Sequence, residues 1–257
     1  MLTFIMWCIL LVLCWPLALL ALVLYPLIWL LLLPFRLVGI AVGGVFELLR
    51  AIIALGGKDL SEERLVDALW PDSEGDSGRK ALSVTIGRLR ELLGINGALQ
   101  VHEGMISLDE RIVWTDVRAF EWLLQEWEQQ RKGGRELGSL EKIAALYQGP
   151  FLHGESGSWA ISPRERLREL FLRAVEQLGR HWEQRKDWQK AIEVYRKGIE
   201  AEDLFEKFYI RIMSCLQRQG SRAEALSLYR RLKKTLDGYG VEPSAEADAL
   251  YHAIIGK

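Results

Sequence analysis

The stretch "RAIIALGGKDLSEERLVDALWPDSEGDSGRKALSVTIGRLRELLG", residues 50–94, decides how the rest of the chain is read. After Gly56-Gly57, Ser61 is a good N-cap, and Glu62 and Glu63 follow in the first turn, where the helix dipole favours acids. Leu65, Ala68 and Leu69 mark an apolar face, and Pro71 ends the helix. The loop "PDSEGDSG" then leads to a second helix, from about Arg79 to Leu93, closed by Gly94. On that second helix Leu82, Ile86, Leu89 and Leu93 recur at helical spacing and form one stripe. Lys80, Ser83, Val84, Gly87, Arg88 and Glu91 face away from it, with Arg79 and Arg90 near its margin. From Arg79 through Arg90 there are four basic residues and no acid.

Downstream, "ALQVHEGMISLDERIVWTDV" alternates apolar and polar residues about Glu103-Gly104, the pattern of a β-hairpin. Helix, loop, basic helix and hairpin, in that order, make a winged helix-turn-helix. A recognition helix needs small or polar residues to approach base edges and flanking cations to neutralise phosphates. Ser83, Val84 and Gly87 suit the approach; Arg79, Lys80, Arg88 and Arg90 suit phosphates or a guanine edge. Glu91 is an awkward neighbour for phosphate. The plainer reading is that these cations solvate a surface helix. Double-stranded DNA is the expected partner, and Arg79, Lys80, Ser83, Val84, Gly87, Arg88 and Arg90 are the expected DNA-binding residues.

Upstream the composition changes abruptly. The first 35 residues contain no Lys, Arg, Asp or Glu, and all 33 basic and 34 acidic side chains lie from Arg36 onward. Residues 4–33 exceed the roughly 20 apolar positions that span a bilayer. Basic residues flank only the C-terminal end of this run, at Arg36, Arg50 and Lys58, which would put that end in the cytoplasm. A signal peptide fits less well, for want of a basic start and a small-x-small cleavage site. The expectation is a single-pass inner-membrane segment through residues 4–33, with the remaining domains in the cytoplasm. A two-helix hairpin is the alternative.

Beyond Asp116, read as an N-cap, a helix runs to about Lys132, and Gly133-Gly134 ends it. The rest reads as helix pairs repeating with a period of 34. Ala191 and Tyr195 recur as Ala225 and Tyr229; Leu178 and Trp182 answer to Ile212 and Leu216. A small residue lets two helices approach and an aromatic fills the groove, as in tetratricopeptide repeats. Trp159, Trp182, Trp188, Tyr195, Tyr229 and Tyr251 are read as core. Arg164, Arg166, Arg168 and Arg173 are read as a solvated helix face. The expected domains are a transmembrane segment (1–36), a winged-helix DNA-binding-like domain (37–118) and a tetratricopeptide-like helical domain (119–257).

Several of these features together resemble the bacterial transcriptional activator domain (BTAD) regulators, which pair an OmpR-type winged helix with a helical activator domain. Leu69-Trp70-Pro71, Arg88-Leu89-Arg90, Leu92-Leu93-Gly94 and Val117 to Phe120 after Asp116 fit the first half. "LYQGPFL" (146–152), "WAISPRERL" (159–167) and "YRRLKKTLDGYGVEPSAEADALYHAI" (229–254) fit the second. The resemblance covers about residues 46–255. It implies contact with RNA polymerase, or self-association, through the helical repeats. It also implies a small sheet ahead of the first helix, "VFELLRAIIALGG", where this chain instead has the apolar run. The expected fold is therefore mainly α, with the first sheet missing.

Other chemistry finds no motif. There is no GxxxxGK[ST] phosphate loop, no GxSxG, no HExxH and no paired-cysteine metal box among the 3 cysteines and 4 histidines. Asp72, Glu74 and Asp76 alternate like a calcium loop but lack its closing Glu. The expectation is a bacterial transcriptional regulator that is not an enzyme and carries no cofactor. The alternative is a tetratricopeptide-like interaction scaffold whose winged helix no longer binds DNA.

Overall fold

A computed structural model describes residues 24–25, 43–73, 75–95, 97–130 and 137–256 of the chain. It is mainly helical with a small sheet, and its residues fall into two compact units. Helix α1 (43–54) passes from the first unit into the second at Arg50 and Ala51. It ends in a left-handed turn: Gly56 and Gly57 have φ of +107° and +69°, and the Gly57 N–H donates to the Ile52 carbonyl at 2.8 Å. Only glycine adopts these angles without steric cost.

The first unit contains helices α2 (Glu62–Leu69) and α3 (Gly75–Leu93). The Ser61 hydroxyl accepts from the Arg64 N–H at 3.3 Å, so the expected N-cap is present. Helix α2 stops at Trp70, just before Pro71. The second helix begins four residues earlier than the sequence suggests, because the turn between the two is tighter. The Ser73 hydroxyl donates to the Trp70 carbonyl at 2.9 Å, and α3 starts at once. Gly78, read from the sequence as loop, belongs to this first part of α3. A Cβ there would lie 2.5 Å from both Val66 Cγ1 and Ser73 Oγ. Its missing side chain is what lets α3 lie so close to α2.

The sheet has the strand order β1-β3-β2 (Leu60–Ser61, Met105–Leu108, Leu99–His102). Strands β2 and β3 pair antiparallel in the register Leu99 to Leu108 and His102 to Met105. They turn at Glu103 and Gly104, with φ of +50° and +75°. Two successive residues with positive φ make the hairpin turn that matches strand twist. The hairpin therefore stands where the alternation put it. Strand β1 is a two-residue addition, too short to show any periodicity in the sequence. Any sheet ahead of α1 falls outside the described residues.

The remaining helices are α4 (Asp116–Gln130), α5 (Leu137–Leu146), α6 (Ser158–Gln184), α7 (Trp188–Ala201), α8 (Glu206–Gln219), α9 (Arg222–Asp237) and α10 (Ala245–Ile255). Thr115, one residue before the expected Asp116, caps α4: its hydroxyl accepts from the Arg118 N–H at 3.4 Å. The 34-residue repeat appears as α6–α7 followed by α8–α9. Leu178, Trp182, Ala191, Tyr195, Ile212, Leu216, Ala225 and Tyr229 are all buried in one core. The approach of paired helices is closer than the alanines alone require. A Cβ on Gly179 would lie 2.3 Å from the Tyr195 ring, and one on Gly198 would lie 2.3 Å from the Phe208 ring. The Tyr195 hydroxyl donates to Glu183 Oε1 at 2.7 Å. This bond satisfies a polar group in a side chain that is otherwise fully enclosed.

The arginines of α6 are not one solvated face. Arg164 is half-buried and donates to the Phe151, Leu152 and Glu155 carbonyls, each at 2.8 Å, bracing the irregular segment between α5 and α6. Arg168 pairs with Glu165 and Glu202, and Arg166 with Glu121. Arg173 is exposed, as expected.

The membrane placement is corrected. Among the described residues no helix is long and apolar enough to cross a membrane. The apolar run at 4–33 lies outside the described residues except for Leu24 and Tyr25. Helix α1, which follows it, rises only about 18 Å over its length, against roughly 30 Å of bilayer hydrocarbon. Its apolar side chains Val45, Leu48, Ala51 and Ile52 are buried in protein, not arranged as a lipid-facing belt. The transmembrane helix, the single-pass inner-membrane location and the membrane as a partner are therefore not retained.

Candidate nucleic-acid interface

Helix α3 separates its residues sharply by burial. Leu82, Ile86 and Leu89 are buried and Leu93 is half-buried, which is the apolar stripe read from spacing. Thr85 joins them; its hydroxyl donates to the Ala81 carbonyl at 2.7 Å, which satisfies that polar group on the packed side. Each of the seven expected DNA-binding residues, Arg79, Lys80, Ser83, Val84, Gly87, Arg88 and Arg90, is exposed on the same helix.

The exposed residues differ in what they already touch. Arg79 pairs with Glu63 on α2 at 3.0 Å, with both side chains largely in solvent. Such a pair contributes on the order of 1 kcal/mol or less, so it can yield to a phosphate. Lys80 and Arg88 have no hydrogen-bond or ion-pair partner among the described residues. At about 100° per residue, Lys80, Val84 and Glu91 lie within about 30° of the direction opposite the buried stripe, and Gly87 within about 45°.

Gly87 carries the most information. It sits inside the helix, where glycine costs about 1 kcal/mol relative to alanine. A Cβ built on it meets nothing within 4 Å. The contrast with Gly78, on the same helix, is direct: packing accounts for Gly78, and no contact within the described residues accounts for Gly87. The sequence pointed to Gly87 but not to Gly78, since "DSG" reads equally well as a turn.

Among the described residues no group of three or more His, Cys, Asp or Glu side chains could hold a metal ion. Cys215 is buried, and burial pushes its thiol up to about 11, which keeps it protonated and unreactive near neutral pH. Trp114 and Trp122 are exposed on one open groove of about 580 Å³, and neither belongs to an apolar stripe that the sequence shows.

Two helices joined by a tight turn, a hairpin with a two-residue turn and a set of stacked helix pairs define the class: a mainly helical protein with a small sheet and helical repeats. The chain belongs to the bacterial transcriptional activator domain family, whose model matches residues 115–255. It is similar to the regulatory protein AfsR of Streptomyces griseus, 26% identical over 219 residues, covering 81% of this chain and 22% of that protein. AfsR of Streptomyces coelicolor is 28% identical over 224 residues, covering 81% and 21%. The likeness thus extends beyond residues 115–255, while the chain spans about a fifth of the length of these relatives. A structure of Mycobacterium tuberculosis EmbR in complex with a low-affinity phosphopeptide shares the fold. Its TM-score is 0.59 at 19% identity, over 77% of this chain and 55% of that one.

Proposed function

We propose that this chain is a non-enzymatic regulator of transcription that binds double-stranded DNA through the exposed face of α3. The helical repeats serve self-association or contact with RNA polymerase. The observation that supports this best is Gly87: a helix-interior glycine, exposed, with free space around it and with Lys80, Val84 and Arg88 alongside. A backbone kept bare at a position the fold does not crowd suits an external surface that must come close. Cations on either side suit the phosphates that flank a major groove. Membership of the family and likeness to proteins named as regulators support the same reading.

The test is duplex binding by the full chain, first by selection from a random library and then at two salt concentrations. Affinity should fall steeply as salt rises, because each neutralised phosphate releases counterions. Lys80→Ala should weaken all duplexes alike and reduce the magnitude of the salt slope by about one. Arg88→Ala should cost about 1–3 kcal/mol on the selected site and far less on random duplex, as expected for a guanine contact. A folded chain with no salt-sensitive affinity for any duplex would leave only the interaction-scaffold reading.

A further inference from the structure

Val84 is an apolar residue on the outward face of α3, beside the charged Lys80 and Glu91 and the bare Gly87; Leu92, also exposed, lies roughly 90° round the helix from that face. Val84 is 53% exposed, whereas Leu82, Ile86 and Leu89 on the same helix are buried. It lies within about 25° of the outward pole, one turn from Lys80 on one side and from Arg88 on the other. Gly87, beside it on the outward face, adds no bulk. Valine is not placed there by local preference, since β-branched residues are mediocre helix formers. Scattered single exposed apolar residues are ordinary on protein surfaces. This one occupies the centre of the face that would meet base edges.

Base edges in the major groove carry one apolar group, the 5-methyl of thymine; the others present hydrogen-bond donors and acceptors. The Val84 isopropyl group can donate and accept nothing, so it would leave a guanine, cytosine or adenine edge unsatisfied where it displaced water. We infer that Val84 is a specificity-determining residue that packs on a thymine methyl, with Arg88 one turn further along the groove. This inference rests on the duplex-binding reading above, and it adds to that reading a chemical demand on the operator: a thymine at one constrained position.

The experiment uses the full chain and its selected duplex. Each thymine is replaced singly by deoxyuridine, which removes the 5-methyl and leaves base pairing unchanged. One replacement should weaken binding roughly four-fold, the loss expected for one buried methyl. The same replacement should change the affinity of Val84→Ala by less than about two-fold, since a double-mutant cycle isolates that contact. Val84 is exposed, so the alanine variant leaves no internal cavity, and circular dichroism checks that it folds. A selected site with no constrained thymine overturns the inference. So does a deoxyuridine series that affects parent and Val84→Ala alike, and in both cases duplex binding itself stands. Absence of salt-sensitive binding to any duplex removes the DNA-binding reading and this inference together.

Discussion

Gly87→Ala separates the demands of the fold from those of a ligand. The methyl would meet nothing within 4 Å, so no packing term opposes it. Alanine is favoured over glycine in a helix interior by about 0.8–1.0 kcal/mol. That corresponds to roughly a five-fold rise in the folded-to-unfolded ratio of α3. The matching rise in melting temperature is about 4–8 °C for a unit of 60–100 residues. Hydrogen exchange of the α3 amides reads this locally and should slow about five-fold. Duplex affinity should move the other way. If the helix backbone lies against the groove floor at Gly87, an added methyl must be overpacked, at a cost of about 1–3 kcal/mol. A variant that is more stable yet binds worse is the expected pairing. A variant that is more stable and binds the selected duplex like the parent would refute the close-approach argument. A variant that is less stable would show that something crowds Gly87 after all.

Three further outcomes follow from the same structure. Gly179→Ala should destabilise the helical repeats by about 1–3 kcal/mol or more, since its Cβ would stand 2.3 Å from a fully buried Tyr195 ring; chemical denaturation measures this, and an unchanged midpoint refutes the packing. The Arg111 side chain beside Asp109, helped by the Arg111 backbone N–H, holds the Asp109 carboxyl down to about 2. Because the folded value lies below the ordinary 3.8, the stability it contributes is present above about pH 4 and lost as pH falls toward 2. An NMR titration should show the Asp109 midpoint rising toward the ordinary value in Arg111→Ala. Finally, Cys215 should resist alkylation at pH 8 in the folded chain and react once the chain is unfolded, because burial both hides the thiol and raises it to about 11; peptide mapping distinguishes it from Cys8 and Cys14.

Much of this protein was legible in its amino-acid order because the deciding signals are local. The Leu82, Ile86 and Leu89 stripe, the Ser61 cap and the Glu103-Gly104 turn each depend on residues a few positions apart. The 34-residue recurrence of Ala191 and Tyr195 as Ala225 and Tyr229 also shows without any structure, since each repeat solves the same packing problem. The apolar run at 4–33 suggested a membrane span by its length alone; apart from Leu24 and Tyr25 it lies outside the described residues, among which no helix is long and apolar enough to cross a membrane. What only the tertiary structure decided are the close approaches between elements distant in sequence or joined by a tight turn. Gly78 against Val66, Gly179 against Tyr195 and Arg164 across three carbonyls of the segment before α6 have no periodic signature. A glycine or an arginine reads the same in a loop, on a surface or in a contact. It is the neighbour's position in space, absent from the sequence, that turns Gly78 into a packing requirement and leaves Gly87 bare.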